Sequence, residues 1–187
     1  DLELSKSWQI ENGLIVRGTG NILTAAYSEN NINTERYLLK VYPLGALEFK
    51  YPFFRARNNK SEVLIPVAQV VYSTDAPSPK RPIDEDSSTT EFDSTTLFKL
   101  RKIPGIDRQE NGLRLNAGLQ YFYEYKDNYK YNVNLGQVYR NKNSEDFLPS
   151  SGLNGFESDI LLSGNLSFGN DLEPVSYTHL TLPTKEG

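Results

Sequence analysis

Residues 113–125 read LRLNAGLQYFYEY, and apolar and polar positions alternate almost without interruption. Leu113, Leu115, Ala117, Leu119, Tyr121, Tyr123 and Tyr125 share one side. Arg114, Asn116, Gly118, Gln120 and Glu124 share the other, with Phe122 the one large apolar exception. A repeat of two predicts a strand with one apolar and one polar face, since a helix would scatter these residues around its circumference. After the polar turn Lys126-Asp127-Asn128 the pattern returns: Tyr129, Tyr131, Val133, Leu135 and Tyr139 oppose Lys130, Asn132, Asn134 and Arg140. It returns again over 156–168, where Leu161 falls on the polar side.

Four earlier segments read as noisier strands: 2–10, 14–27, 37–51 and 63–72. Asn12-Gly13 supplies the left-handed backbone of a tight hairpin between the first two. The segment 63–72 is apolar on both faces, and Pro66 within it must disturb a ladder bond. The prediction is seven strands and no helix.

The connections between them alternate short and long. Those at 12–13, 57–60, 126–128 and 169–171 are short, and those at 28–36, 74–111 and 141–155 are long. An up-and-down meander would put all the short turns at one end and all the long loops at the other. A soluble β-sandwich is the common home of alternating strands, but three features oppose it here. The strands run to about 10–14 residues against a usual ~5–6, aromatic residues gather at strand ends, and the short/long alternation is global. A transmembrane β-barrel requires all three: strands of ~9–11 residues or more, aromatic girdles, and an apolar exterior around a polar lumen. The fold class expected is therefore all-β, an antiparallel up-and-down meander forming part of a large transmembrane β-barrel. Seven strands do not suit closure on their own, because bacterial barrels have even counts of at least eight.

Composition sharpens this picture. Mean hydropathy is −0.55 and no apolar run approaches the ~18 residues of a membrane helix, which excludes helical spans and leaves strands open. No signal peptide is visible at the start, Asp1-Leu2-Glu3. Twelve Tyr and nine Phe against one Trp fit a girdle, where a ring can bury while its hydroxyl stays wet. A net charge of −4 gives no electrostatic reason to bind nucleic acid. The absence of Cys removes disulfides, thiolate metal sites and thiol nucleophiles, and the absence of Met predicts a piece of a longer protein.

The long connection 74–111 carries the most specific signal. In order it holds Glu85-Asp86-Ser87, Phe92-Asp93, Leu97-Phe98, Gly105-Ile106-Asp107-Arg108 and then Gly112-x-Arg114. Tyr51-Pro52-Phe53, Pro66-Val67-Ala68-Gln69, Gly136-Gln137 and Ser151-Gly152-Leu153 flank it. This series resembles the barrel domain of the LptD family, the LPS-assembly proteins of the Gram-negative outer membrane. The resemblance is good over 36–168 and looser over the first 35 residues; Asp84 stands where the family pattern has Asn.

The resemblance implies an outer-membrane translocon that inserts lipopolysaccharide into the outer leaflet without catalysing a reaction and without a cofactor. It implies an LptE-like lipoprotein plug, and an LptA-like periplasmic bridge reached through an N-terminal jelly-roll not contained in this chain. Glu85, Asp86, Ser87, Phe92, Asp93, Gly105, Asp107 and Arg108 would form a family-motif loop folded inward, with Asp107 and Arg108 bracing it by charge-assisted hydrogen bonds. Arg114, Asn116, Gln120, Lys130, Asn132, Asn134 and Arg140 are the candidate lumen-facing residues, a hydrogen-bonding lining suited to a phosphorylated saccharide.

Other chemistry is poorly supported. The acidic run 84–93 lacks the alternating ligands, central Gly and flanking helices of an EF-type calcium loop. The Ser-rich stretch has no nucleophile motif, and Gly18-Thr19-Gly20 sits inside a strand. Residues 1–173 are expected to be barrel. Residues 174–187, which contain the only histidine, His179, break the strand rhythm and resemble translated adaptor sequence rather than native protein. Another large outer-membrane channel or receptor, and a soluble β-sandwich binding module, are the alternative readings.

Overall fold

A computed structural model describes residues 1–31, 34–74, 90–103, 105, 109–126, 129–144, 147–168 and 175–180. The described residues form ten strands: β1 (Leu2–Gln9), β2 (Ile15–Asn31), β3 (Thr34–Lys50), β4 (Phe53–Arg57), β5 (Lys60–Ser73), β6 (Gly112–Tyr125), β7 (Tyr129–Ser144), β8 (Gly155–Glu157), β9 (Ile160–Phe168) and β10 (Val175–Leu180). All belong to one antiparallel sheet in the order β1-β2-β3-β5-β6-β7-β9-β10, with β4 beside β5 and β8 beside β7. The path runs in chain order, skipping only the short β4 and β8, which is the expected meander. Among the described residues the only helical turn is Pro149–Ser151.

Seven expected strands become ten for physical reasons. β3 and β4 lie on one line, since Lys50 pairs with Val67 and Phe53 with Leu64 in the same register. The gap between them sets Tyr51 and Pro52 against Ile65 and Pro66, and two prolines without N–H groups break the ladder there. The third alternating segment is likewise split into β8 and β9, with a register shift where β8 meets β7. β10 lies in the tail; it pairs along β9 from Val175–Asn165 to Leu180–Ile160.

The loop expected over 28–36 is not a loop. β2 and β3 stay paired out to Asn31–Thr34, leaving a two-residue connection at 32–33. The extension reads SENN and TER, polar on both faces, so the backbone continues as a ladder after the alternation has ended. The expected turn at 57–60 holds, that at 12–13 places Gly13 but not Asn12 at positive φ, and the turns expected at 126–128 and 169–171 lie wholly or partly outside the described residues. Asn58 and Asn59 take positive φ in a two-residue hairpin closed by the Arg57–Lys60 pair. The 74–111 connection falls between the observed ends of β5 and β6.

The sheet is inverted relative to a soluble domain. On one face Leu4, Leu39, Leu47, Leu113, Leu135 and Tyr139 are exposed. On the other, Asn21, Lys40, Glu48, Gln69, Arg114 and Asn116 are buried. Among the described residues no second sheet packs on the exposed apolar side chains of this continuous face. Tyr121, Tyr123, Tyr125, Tyr129, Tyr131 and Phe168 cluster on the apolar face at the short-turn end. Tyr123 stacks on Tyr131 at 4.8 Å and Phe168 meets Tyr129 edge-on at 5.7 Å.

Candidate functional site

The polar face is covered at its long-loop end by the chain between β5 and β6. Residues 90–103 seat apolar side chains onto it. Phe92, Leu97 and Ile103 join Val138, Phe147, Leu153 and Leu161 in one buried cluster, and Leu100 packs on Leu44, Ala46 and Val71. Leu161, out of place in the alternation, is thus the floor under the loop. Gly118 and Gly136 face each other in register across β6 and β7. Leu97 fills the dimple they leave: a Cβ on Gly136 would lie 2.4 Å from Leu97 Cδ2, and one on Gly118 3.2 Å from it.

The loop holds its shape through local hydrogen bonds. Asp93 Oδ1 accepts from Thr95 N, Thr95 Oγ1 and Thr96 N at 2.9, 2.8 and 2.7 Å, and Asp93 N donates back to Thr96 Oγ1 at 2.8 Å. Burial raises the Asp93 carboxyl, but these bonds from Thr95 and Thr96 outweigh it and hold the pKa below the ordinary value. The turn's carbonyls are then met by Lys102, whose Nζ donates to Thr96 O at 2.5 Å and Leu97 O at 2.6 Å. Lys102 is buried, and its pKa lies well below the ordinary lysine value, first through burial and then through repulsion by Arg114.

Ionic contacts tie this loop to the strands. Arg114 and Arg140 lie directly opposite each other, a like-charge pair that would be unfavourable alone. Glu110 resolves part of that repulsion, accepting from Arg114 Nη1 and, at 3.0 Å, from Arg140 Nε. Burial alone would raise the Glu110 carboxyl; Arg114, Arg140 and Lys102 reverse this and lower it. Arg114 Nη2 also donates to Leu100 O at 2.6 Å. Arg101 reaches the far side, with Nη2 donating to Asn21 Oδ1 at 2.6 Å and Tyr42 O at 2.8 Å. Below Leu97, Asn116 donates to Gln69, which donates to Phe98 O at 3.1 Å and Glu48 at 3.3 Å.

A polar sheet face closed by a loop in this way needs a family to give it meaning. The model of the LptD family, described as LPS transport system D, matches residues 5–174. The chain belongs to the LptD family. No match is found among curated protein sequences. LptD membership ties the chain, at the level of the family, to LPS transport, with LPS as the substrate of that system, and its all-β antiparallel sheet is consistent with a fragment of a β-barrel.

In this LptD-family chain the seven strand residues singled out from sequence all occupy the polar face, but they are not one site. Arg114, Asn116 and Arg140 lie under or beside the loop. Gln120 pairs with Asn134, whose amide donates to Ser163 Oγ at 3.3 Å, further along the strands. Asn132 sits between Phe122 and Asn165, and Lys130 bridges Glu124 at 2.8 Å near the short turn. Lys130 and Arg140 are ten residues apart on one strand, about 33 Å. Of the loop motif, Phe92 is completely buried, Asp93 organises the turn, and Gly105 is exposed at φ +89°, a conformation that favours glycine. Glu85, Asp86, Ser87, Asp107 and Arg108 lie outside the described residues. In the described part of the LptD loop, charge-assisted hydrogen bonds come from Arg101, Lys102 and Glu110, none of which had been singled out. The only hint of them was the basic run Lys99-x-Arg101-Lys102, followed by a lone Glu before β6.

Proposed function

We propose that this chain forms part of the wall of an outer-membrane LPS translocon. Its apolar face meets lipid and its polar face lines the passage through which LPS moves to the outer leaflet. The inverted sheet carries this reading. Leu113, Leu115 and Leu135 stand exposed on one face while Asn116 and Gln69 are buried on the other, an arrangement stable only where the outside is the less polar solvent. The protein catalyses nothing in this reading; it supplies a hydrogen-bonding surface for a phosphorylated saccharide. An LptE-like plug and an LptA-like bridge would act with it in the complete translocon.

A photo-crosslinking amino acid placed in cells at Gln120, Asn132 or Asn134 should capture LPS only while the inner-membrane supply runs. The same group at Leu119 or Ala117 should give adducts that do not depend on that supply. Absence of any LPS adduct from all three polar-face positions would overturn the role of this face. We also read residues 174–187 as adaptor-like sequence. The family match stops at 174, and an open strand edge accepts an extended segment such as β10 through main-chain bonds alone. Genomic sequencing across that junction tests this, and a native reading frame continuing through His179 would refute it.

A further inference from the structure

Among the described residues, the ionic cluster beneath the loop is not balanced. Arg114 and Arg140 share the single carboxylate of Glu110, and the side chains of all three are less than a tenth exposed, at 6, 5 and 9%. Lys102 stands close by. Even with Lys102 uncharged, two guanidinium groups face one carboxylate. The donors are unequally used as well: Arg140 Nη1 and Nη2 and Arg114 Nε are buried and have no hydrogen-bond partner. Arg140 therefore bonds Glu110 through Nε alone and leaves its terminal pair of N–H groups unfilled. The Phe147 ring, 5.2 Å from its guanidinium carbon, covers the group without accepting those bonds. Buried guanidinium groups left with surplus charge and empty donors are costly, and water satisfies the donors without neutralising the charge.

We propose that Arg114 and Arg140 form a buried anion site that takes one phosphate-class oxyanion, held by the free terminal nitrogens of Arg140 and by Arg114 Nε. A planar guanidinium fork is matched to two oxygens of such a group. The anion completes the charge balance begun by Glu110 and locks the loop onto β6 and β7. Its source is either a free phosphate ion or a phosphate group of the transported glycolipid.

The test uses the protein expressed from its complete reading frame and purified in detergent micelles, with thermal unfolding followed by aromatic fluorescence. Sodium phosphate is titrated at ionic strength held constant with potassium gluconate. The unfolding midpoint should climb and saturate, as for a ligand bound only by the folded state. Arg140→Met should abolish the response. Glu110→Gln removes the competing carboxylate and should move the titration to roughly tenfold lower phosphate, a modest coupling between adjacent charges. That shift remains readable if Arg140→Met fails to fold, and a purely structural Glu110 would not produce it. A second arm compares intact with dephosphorylated LPS. Stabilisation by the intact form alone, lost in Arg140→Met, supports the site and names the cargo as the source. This arm rests on the transport reading and the phosphate arm does not, so the two can fail separately. No response to phosphate or to intact LPS overturns the site. So does a phosphate response that persists in Arg140→Met, or one that Glu110→Gln leaves unmoved.

Discussion

Leu97 sits in a space made by the absence of two side chains, Gly118 and Gly136, and that complementarity sets the position of the whole loop. A Leu side chain this buried loses ~2–5 kcal/mol of packing when cut to Ala. Leu97→Ala should therefore open the loop, seen as faster proteolysis within residues 90–103 while the strands stay resistant. Gly136→Ala introduces a Cβ 2.4 Å from Leu97 Cδ2 and 2.9 Å from the backbone oxygen of Ala117. It should cost ~1–3 kcal/mol as an overpacked site. Made together, the two changes should cost less than their sum, because Ala at 97 vacates the space that Ala at 136 needs. A double-mutant cycle on the proteolysis rates measures the coupling, and strict additivity would show that Leu97 does not seat in this dimple.

At the scale of the element, the loop is a turn organised by one carboxylate and seated by apolar side chains. The Asp93 carboxyl is held below its ordinary value of 3.8, so its contribution is complete above that pH and is lost as the pH falls through the lower, folded value. Pepsin, active in acid, should cut the loop increasingly as the pH drops through that window, and Asp93→Asn should flatten the step. An unchanged acid step in the variant would assign it to another group.

The elements also show where the sequence is legible. β6 and β7 could be read almost residue by residue, because alternating large apolar and polar side chains give the period of two its full amplitude. The paired extension of β2 and β3 could not, since SENN and TER are polar on both faces and leave no amplitude to read. The loop's ion network was hidden for a different reason. Lys102 and Glu110 acquire meaning only when the chain folds back over Arg114 and Arg140, and no local spacing encodes that return. The loop's apolar seat, by contrast, left a trace in Leu161, whose break in the alternation marks where Phe92, Leu97 and Ile103 pack. Phe122, the matching break on β6, is exposed, and no described segment of the loop packs over it.

For the molecule as a whole, a mean hydropathy of −0.55 and an apolar exposed face are compatible because the polar residues lie on the opposite face and in the loops. The average conceals the sign of the arrangement, and the sign decides the solvent. Leu135 and Asn134 are neighbours on β7 that point to opposite faces, and Leu135 is 43% exposed. If the apolar face met water, Leu135→Arg would be nearly neutral, since an exposed position accepts a charge, and Asn134→Arg would be the more disruptive change. If it meets lipid, the order reverses. Arginine on the lipid face near the bilayer midplane costs ~2–4 kcal/mol, while a substitution on the lumen face retains water around the charge. Leu135→Arg should therefore lower the folded, outer-membrane-inserted fraction sharply and Asn134→Arg only slightly, measured by heat-modifiable gel migration of the protein from isolated membranes. The pair carries the same added charge one residue apart, so net charge, expression and strand propensity largely cancel between them. What remains in the comparison is which face of the sheet is the greasy outside.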